Sequence, residues 1–165
     1  MATEPSSQIV IQARLEALRD LAHWVERLAA EFSLPAAVAH RIDLCLTELA
    51  TNVISYGYPD GRAGAVRVRF WRHADRIVVC IDDDGMPFDP SSYEPPGLPS
   101  SLSDAPGGGR GIRLVRSFSD ELHHVAATTG NQLTLVFRDA GTGSPSTARA
   151  GVQDPADLKP TQQLP

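Results

Sequence analysis

Three short stretches of this 165-residue chain hold side chains able to do chemistry. "ELATN" carries Glu48 and Asn52, four residues apart, a spacing that puts both on one face of a helix. At about 100° per residue that face borders the helix's apolar stripe. A half-buried carboxylate beside a carboxamide suits a cation or a reacting hydroxyl; a solvated Glu near a polar helix end is the alternative. "IDDDGMPFDP" sets Asp82, Asp83 and Asp84 at the end of an apolar run, just before Gly85. Adjacent like charges repel and Asp is a poor strand former, so the run is either a charged turn or a place where one carboxylate is held for a ligand. "GGGRGIRLV", Gly107 to Val115, is a glycine-rich loop opening a helix. Amides without Cβ neighbours can close on an anion, the helix N-terminus adds its dipole, and Arg110 adds a charge; a flexible linker is the alternative. It is not a Walker loop, since no Gly-Lys-Ser/Thr follows, nor a Rossmann fingerprint, since no alternating strand leads into it.

The surrounding elements are legible from periodicity. "QIVIQ", Gln8 to Gln12, reads as a strand. Leu15, Leu18, Leu21, Val25, Leu28 and Phe32 recur at three or four, which predicts a helix over 13–32. Ser33 and Pro35 look like the start of a second helix, running to Tyr56 and ending at Gly57. Its core stripe is Val38, Ile42, Cys45, Leu46, Leu49 and Val53, and it carries the Glu48/Asn52 pair. "AVRVRFWR" and "RIVVCID" alternate like a hairpin, with Val66, Val68 and Phe70 opposite Arg67, Arg69 and Trp71. Residues 87–111 are rich in Pro, Gly, Ser and Asp, a length that suggests a functional lid. A short helix from "GIRLVRSFSDE" and the strands "ELHHVAA" and "NQLTLVFR" complete the pattern. The sum is an α+β two-layer sandwich: a mixed, mostly antiparallel sheet covered on one face by helices. Residues 8–138 form the expected domain, and 139–165 read as a disordered tail.

Composition removes several classes. A net charge of −5 lacks the basic footprint of a general nucleic-acid binder, so direct nucleic-acid binding is not expected. No apolar run approaches a membrane span and no signal peptide is read, so the expected location is cytoplasmic. Cys45 and Cys80 sit among apolar neighbours and read as buried reduced thiols. His123 and His124 are strand neighbours on opposite faces, which does not favour a shared metal.

The order of the three motifs is more specific than any one alone. A helix with Glu and Asn, a strand ending in Asp-Asp-Gly, and a Gly-rich lid opening a helix resemble the Bergerat-type ATP-binding fold of gyrase, Hsp90, histidine kinases and MutL (GHKL). "DDGMPFDP" followed by "GGGRGIRLVRSFSDE" is most similar to the bacterial anti-sigma factor serine/threonine kinases, over roughly Gln8 to Arg138. The resemblance implies ATP and Mg²⁺ as cofactors. It implies that Asp83 accepts from the adenine amino group, with Gly85 leaving room for the base. It gives Asn52 as the Mg²⁺ ligand, Glu48 as general base, and Gly107, Gly108, Gly109, Arg110 and Gly111 as the phosphate lid. Thr134 takes the place of a late-strand Thr under the adenine. Asp82 and Asp84, turned away by strand alternation, are left structural. The partners implied are an anti-anti-sigma protein of STAS type, as phosphoacceptor, and a sigma factor; relatives often form homodimers. Two departures stand out: Tyr56 occupies a position where many members carry His or Lys, and Pro87 replaces a second Gly. A nucleotide-gated, non-catalytic binding module is therefore the second expectation. His23 in "AHWVE" has no acidic residue following it, which argues against a histidine-kinase fragment.

Overall fold

The structure, a computed structural model, describes residues 4–88, 109–126 and 130–138. Gly107, Gly108, most of the expected lid and the expected tail from 139 lie outside the described residues. The elements in chain order are β1 (Ser7–Gln12), a 3₁₀ turn (Leu15–Ala17), α1 (Leu18–Glu31), α2 (Ala36–Tyr56), β2 (Ala65–Arg72), β3 (Arg76–Asp83), α3 (Gly109–Phe118), β4 (Glu121–Ala126) and β5 (Asn131–Arg138). The strands form one sheet in the order β1-β2-β3-β5-β4. Every pairing among the described strands is antiparallel, in line with the mostly antiparallel sheet expected, with no parallel pair among them.

Alternation decides the layers. Val66, Val68, Phe70, Ile77, Val79, Ile81, Leu133, Leu135 and Phe137 point to one face and are buried. They pack with Leu21, Trp24, Val25 and Leu28 of α1, with Val38, Ile42, Leu46 and Leu49 of α2, and with Ile112 and Val115 of α3. Burying each such side chain stabilises the fold by about 1.5–3 kcal/mol, and together they hold all three helices to one side.

Two local expectations are corrected, and a third residue lies on its expected face but is buried there. The first helix begins at Leu18, not Ala13, because Ala13 N–H bonds the Gly64 carbonyl at 2.9 Å and the chain turns through the 3₁₀ segment; Leu15 is 58% exposed. Ser33 does not cap α2: its φ is 50°, and Pro35 is the residue preceding the helix. Trp71 is buried on the outer face of the sheet, its ring 5.5 Å from the Arg69 guanidinium. The outer face of the central strands also contains the Arg69–Asp82 ion pair at 2.8 Å, with both side chains less than 15% exposed.

Candidate functional site

α2 brings Glu48 and Asn52 to its surface toward α3, as their spacing required. The first turn of α3 closes on them. A Cβ at Gly111 would stand 2.6 Å from Glu48 Oε2 and 3.3 Å from Asn52 Nδ2, so only glycine fits without displacing them. Asn52 Nδ2 is buried and has no hydrogen-bond partner among the described residues. A carboxamide rotated by a half-turn presents its oxygen at the same spot, so an unpaired carboxamide next to a carboxylate fits a cation site. Among the described residues no three His, Cys, Asp or Glu converge. Gly109 and Arg110 lie in the same first turn of α3, as expected.

The three aspartates are sorted by the pleat. Asp82 faces outward and pairs with Arg69, and its Oδ1 accepts from Gln132 Nε2 at 2.7 Å. Asp84 accepts from the Tyr58 hydroxyl at 2.7 Å and pairs with Arg62 at 2.8 Å. Its burial opposes ionisation, but the bonds from Tyr58 and Arg62 prevail and hold its carboxyl below the ordinary value. Asp83 alone faces the helix side, 6% exposed. Its Oδ1 accepts from Gly85 N–H at 2.9 Å and from Asn131 Nδ2 at 3.0 Å. Burial pushes the Asp83 carboxyl above its ordinary value; the Asn131 and Gly85 bonds pull it back in part.

Gly85 sits where the two halves of the site approach each other. A Cβ there would be 3.0 Å from both the Cα and the carbonyl oxygen of Gly57, at the end of α2. Met86 N–H bonds that same carbonyl at 2.7 Å. The turn after β3 is thus tied to the end of the helix carrying Glu48 and Asn52. Tyr56, Met86 and Phe88 are exposed around it.

Thr134 is not part of this site. It is paired with Cys80 in the β3–β5 register, three residues from Asp83 and hence on the opposite face of the sheet. Its hydroxyl is directed to Cys80 Sγ at 3.8 Å. The β5 residue that reaches Asp83 is Asn131, directly opposite it in register and 6% exposed. An Asn opening a strand after Gly130 looks like turn punctuation in sequence, and only the β3–β5 register reveals it.

With this geometry in place, the chain can be compared with known proteins. It matches the histidine kinase-like ATPase domain family over residues 11–137, and it belongs to that family. It is 30% identical over 121 residues to the serine/threonine-protein kinase BtrW of Bordetella bronchiseptica, covering 73% of this chain and 85% of that protein. It is 28% identical over 88 residues to the serine-protein kinase RsbW of Bacillus subtilis, covering 49% of this chain and 53% of that kinase. It is 26% identical over 97 residues to the anti-sigma F factor of Clostridium novyi, covering 59% and 67%. The crystal structure of the RsbU and RsbW domains of a Mycobacterium tuberculosis protein superposes with a TM-score of 0.55 at 15% identity, over 81% of this chain and 32% of that one, and shares the fold.

Proposed function

We propose that residues 8–138 form an ATP-binding domain and that the chain is a serine/threonine kinase of anti-sigma type. It would phosphorylate an anti-anti-sigma partner of STAS type and sequester a sigma factor. The observation that carries this reading is the meeting of α3 with α2, where Gly111 packs against Glu48 and Asn52. A glycine-rich helix start that can hold an anion is thereby set beside the carboxylate and the unpaired carboxamide. The names of the relatives, kinases of serine or threonine and an anti-sigma factor, support the same class.

In this reading Asp83 accepts from the adenine amino group, and Gly85 keeps the space for the base. The amides of the glycine run and Arg110 bind the phosphates. Asn52 would hold Mg²⁺, which would supply neutralisation of the charge that develops on the phosphates. Glu48 accepts the proton of the partner's Ser or Thr hydroxyl. The hydroxyl oxygen bonds to the γ-phosphorus as the bond to the β-phosphate oxygen breaks, and ADP leaves with that electron pair. The domain would act in the cytoplasm, where its partners are.

Tyr56 favours a second reading. It is 55% exposed, one turn beyond Asn52, and its phenol brings no positive charge toward the phosphates. A non-catalytic module would use ATP only to order its binding surface. Incubation with γ-labelled ATP, Mg²⁺ and each candidate anti-anti-sigma protein, wild type beside Glu48→Ala, separates the two. Acid-stable label lost in the variant supports the kinase. Intact ATP binding without label on any partner favours the module.

A further inference from the structure

Asn131 is a saturated carboxamide. Its Nδ2 donates to Asp83 Oδ1 at 3.0 Å and to the Met86 carbonyl at 3.1 Å. Its Oδ1 accepts from Phe88 N–H at 2.6 Å. The orientation of the amide follows from the chemistry of these partners: two acceptors face the nitrogen and one donor faces the oxygen, and a flipped amide would oppose oxygen to oxygen. The turn before it leaves no freedom either. Gly130 has φ +84°, and a Cβ there would lie 1.9 Å from the Asp83 carbonyl oxygen. One buried side chain therefore touches both the inward-facing carboxylate and the backbone that follows it.

We propose that Asn131 is a positioning residue that makes the site selective for the purine base. The inference rests on the nucleotide-binding reading above and deepens it. The donors from Asn131 and Gly85 both fall on Oδ1, which fixes the carboxylate plane and would leave Oδ2 as the oxygen to accept from the base. A carboxylate held in this way only accepts. It suits a base with an amino group at C6 and repels one with a carbonyl there. Without the Asn131 donor, the Asp83 side chain loses its fixed plane and takes a proton more readily in its buried setting, and a protonated carboxyl can donate to a C6 carbonyl.

The test is calorimetric titration with ATP and with inosine triphosphate, which exchanges the C6 amino group for a carbonyl. Wild type is run beside Asn131→Leu, which keeps the approximate size and removes both polar ends, and Asn131→Ala, which removes the carboxamide altogether. Wild type should prefer ATP by about ten- to a hundredfold, the worth of one hydrogen bond to a charged group. In both variants the preference should fall to within about threefold, mainly through weaker ATP binding. A purely structural role would weaken both nucleotides alike, so a variant that keeps the wild-type ratio overturns the proposal, whatever its absolute affinities. If one variant does not fold, the other carries the same test. A wild type that binds neither nucleotide removes the proposal together with the reading beneath it. A wild type that discriminates, beside variants that discriminate equally, overturns the proposal alone.

Discussion

Gly111 and Glu48 meet where a single added carbon would collide: a Cβ on Gly111 would stand 2.6 Å from Glu48 Oε2. The obstructing atom is the tip of a flexible side chain, so Gly111→Ala should be accommodated by a swing of Glu48. Stability should change by no more than about 1 kcal/mol, as for a substitution that opens no cavity and strands no backbone group. Phosphotransfer should fall at least about tenfold, because a displaced general base loses most of its contribution. Thermal denaturation and the γ-label assay, run on the same preparation, measure the two effects. Wild-type transfer in a folded Gly111→Ala would remove Glu48 from the reaction.

Asp83 and Thr134 make opposite predictions because they lie on opposite faces of the sheet. Asp83→Asn replaces an acceptor with a group that also presents an N–H, and should weaken ATP by at least about tenfold. Thr134→Val should leave ATP affinity within about twofold, since it removes only a long contact to Cys80 Sγ. Equilibrium binding to both variants checks the assignment. A large effect of Thr134→Val would contradict the register that places it on the outer face.

Tyr58 and Asp84 predict a pH-dependent stability. The folded-state carboxyl of Asp84 lies below its ordinary value, so its contribution is present above the ordinary Asp range and is lost as pH falls through the folded value. Tyr58→Phe removes one of the bonds responsible. At pH 7 the variant should be less stable by about 1 kcal/mol at most, a partly exposed hydrogen bond. The gap between wild type and variant should narrow as the pH falls below about 4. Urea denaturation at several pH values would show it. A gap that is constant with pH would separate Tyr58 from the ionisation of Asp84.

Both thiols are buried, and burial pushes each up to about 12. The thiolate is the reactive form, so neither should react in the native protein near pH 8. An aromatic disulfide reagent should report no accessible thiol in buffer and two in denaturant. Rapid native labelling of either would show that α2 or β3 opens locally.

The fold was legible wherever one face of an element is apolar and the other is not. α2 shows this best: five of its six expected core residues, Val38, Ile42, Cys45, Leu46 and Leu49, are buried. Glu48 and Asn52 were legible for the same reason, since i and i+4 share a helix face whatever the rest of the chain does. Asp83 needed the order of the motifs, because three adjacent acids look alike until the pleat separates them. Asn131 was not legible. Its role depends on which β5 residue stands opposite Asp83, and register is a property of two strands far apart in sequence. Trp71 was assigned to a polar face by alternation, yet the outer face of the central strands is itself partly buried.

The bond from Phe88 N–H to Asn131 and the seating of Gly111 against Glu48 lie at either end of residues 89–108. Each end is secured by a different element, β5 on one side and α2 on the other. The spacing of the two anchor points is therefore set without reference to the chain between them. Glu48, Asn52 and Asp83 are thus kept in relation to one another by the described elements themselves, through the packing of α3 on α2 and the bond from Met86 N–H to the Gly57 carbonyl at the end of α2.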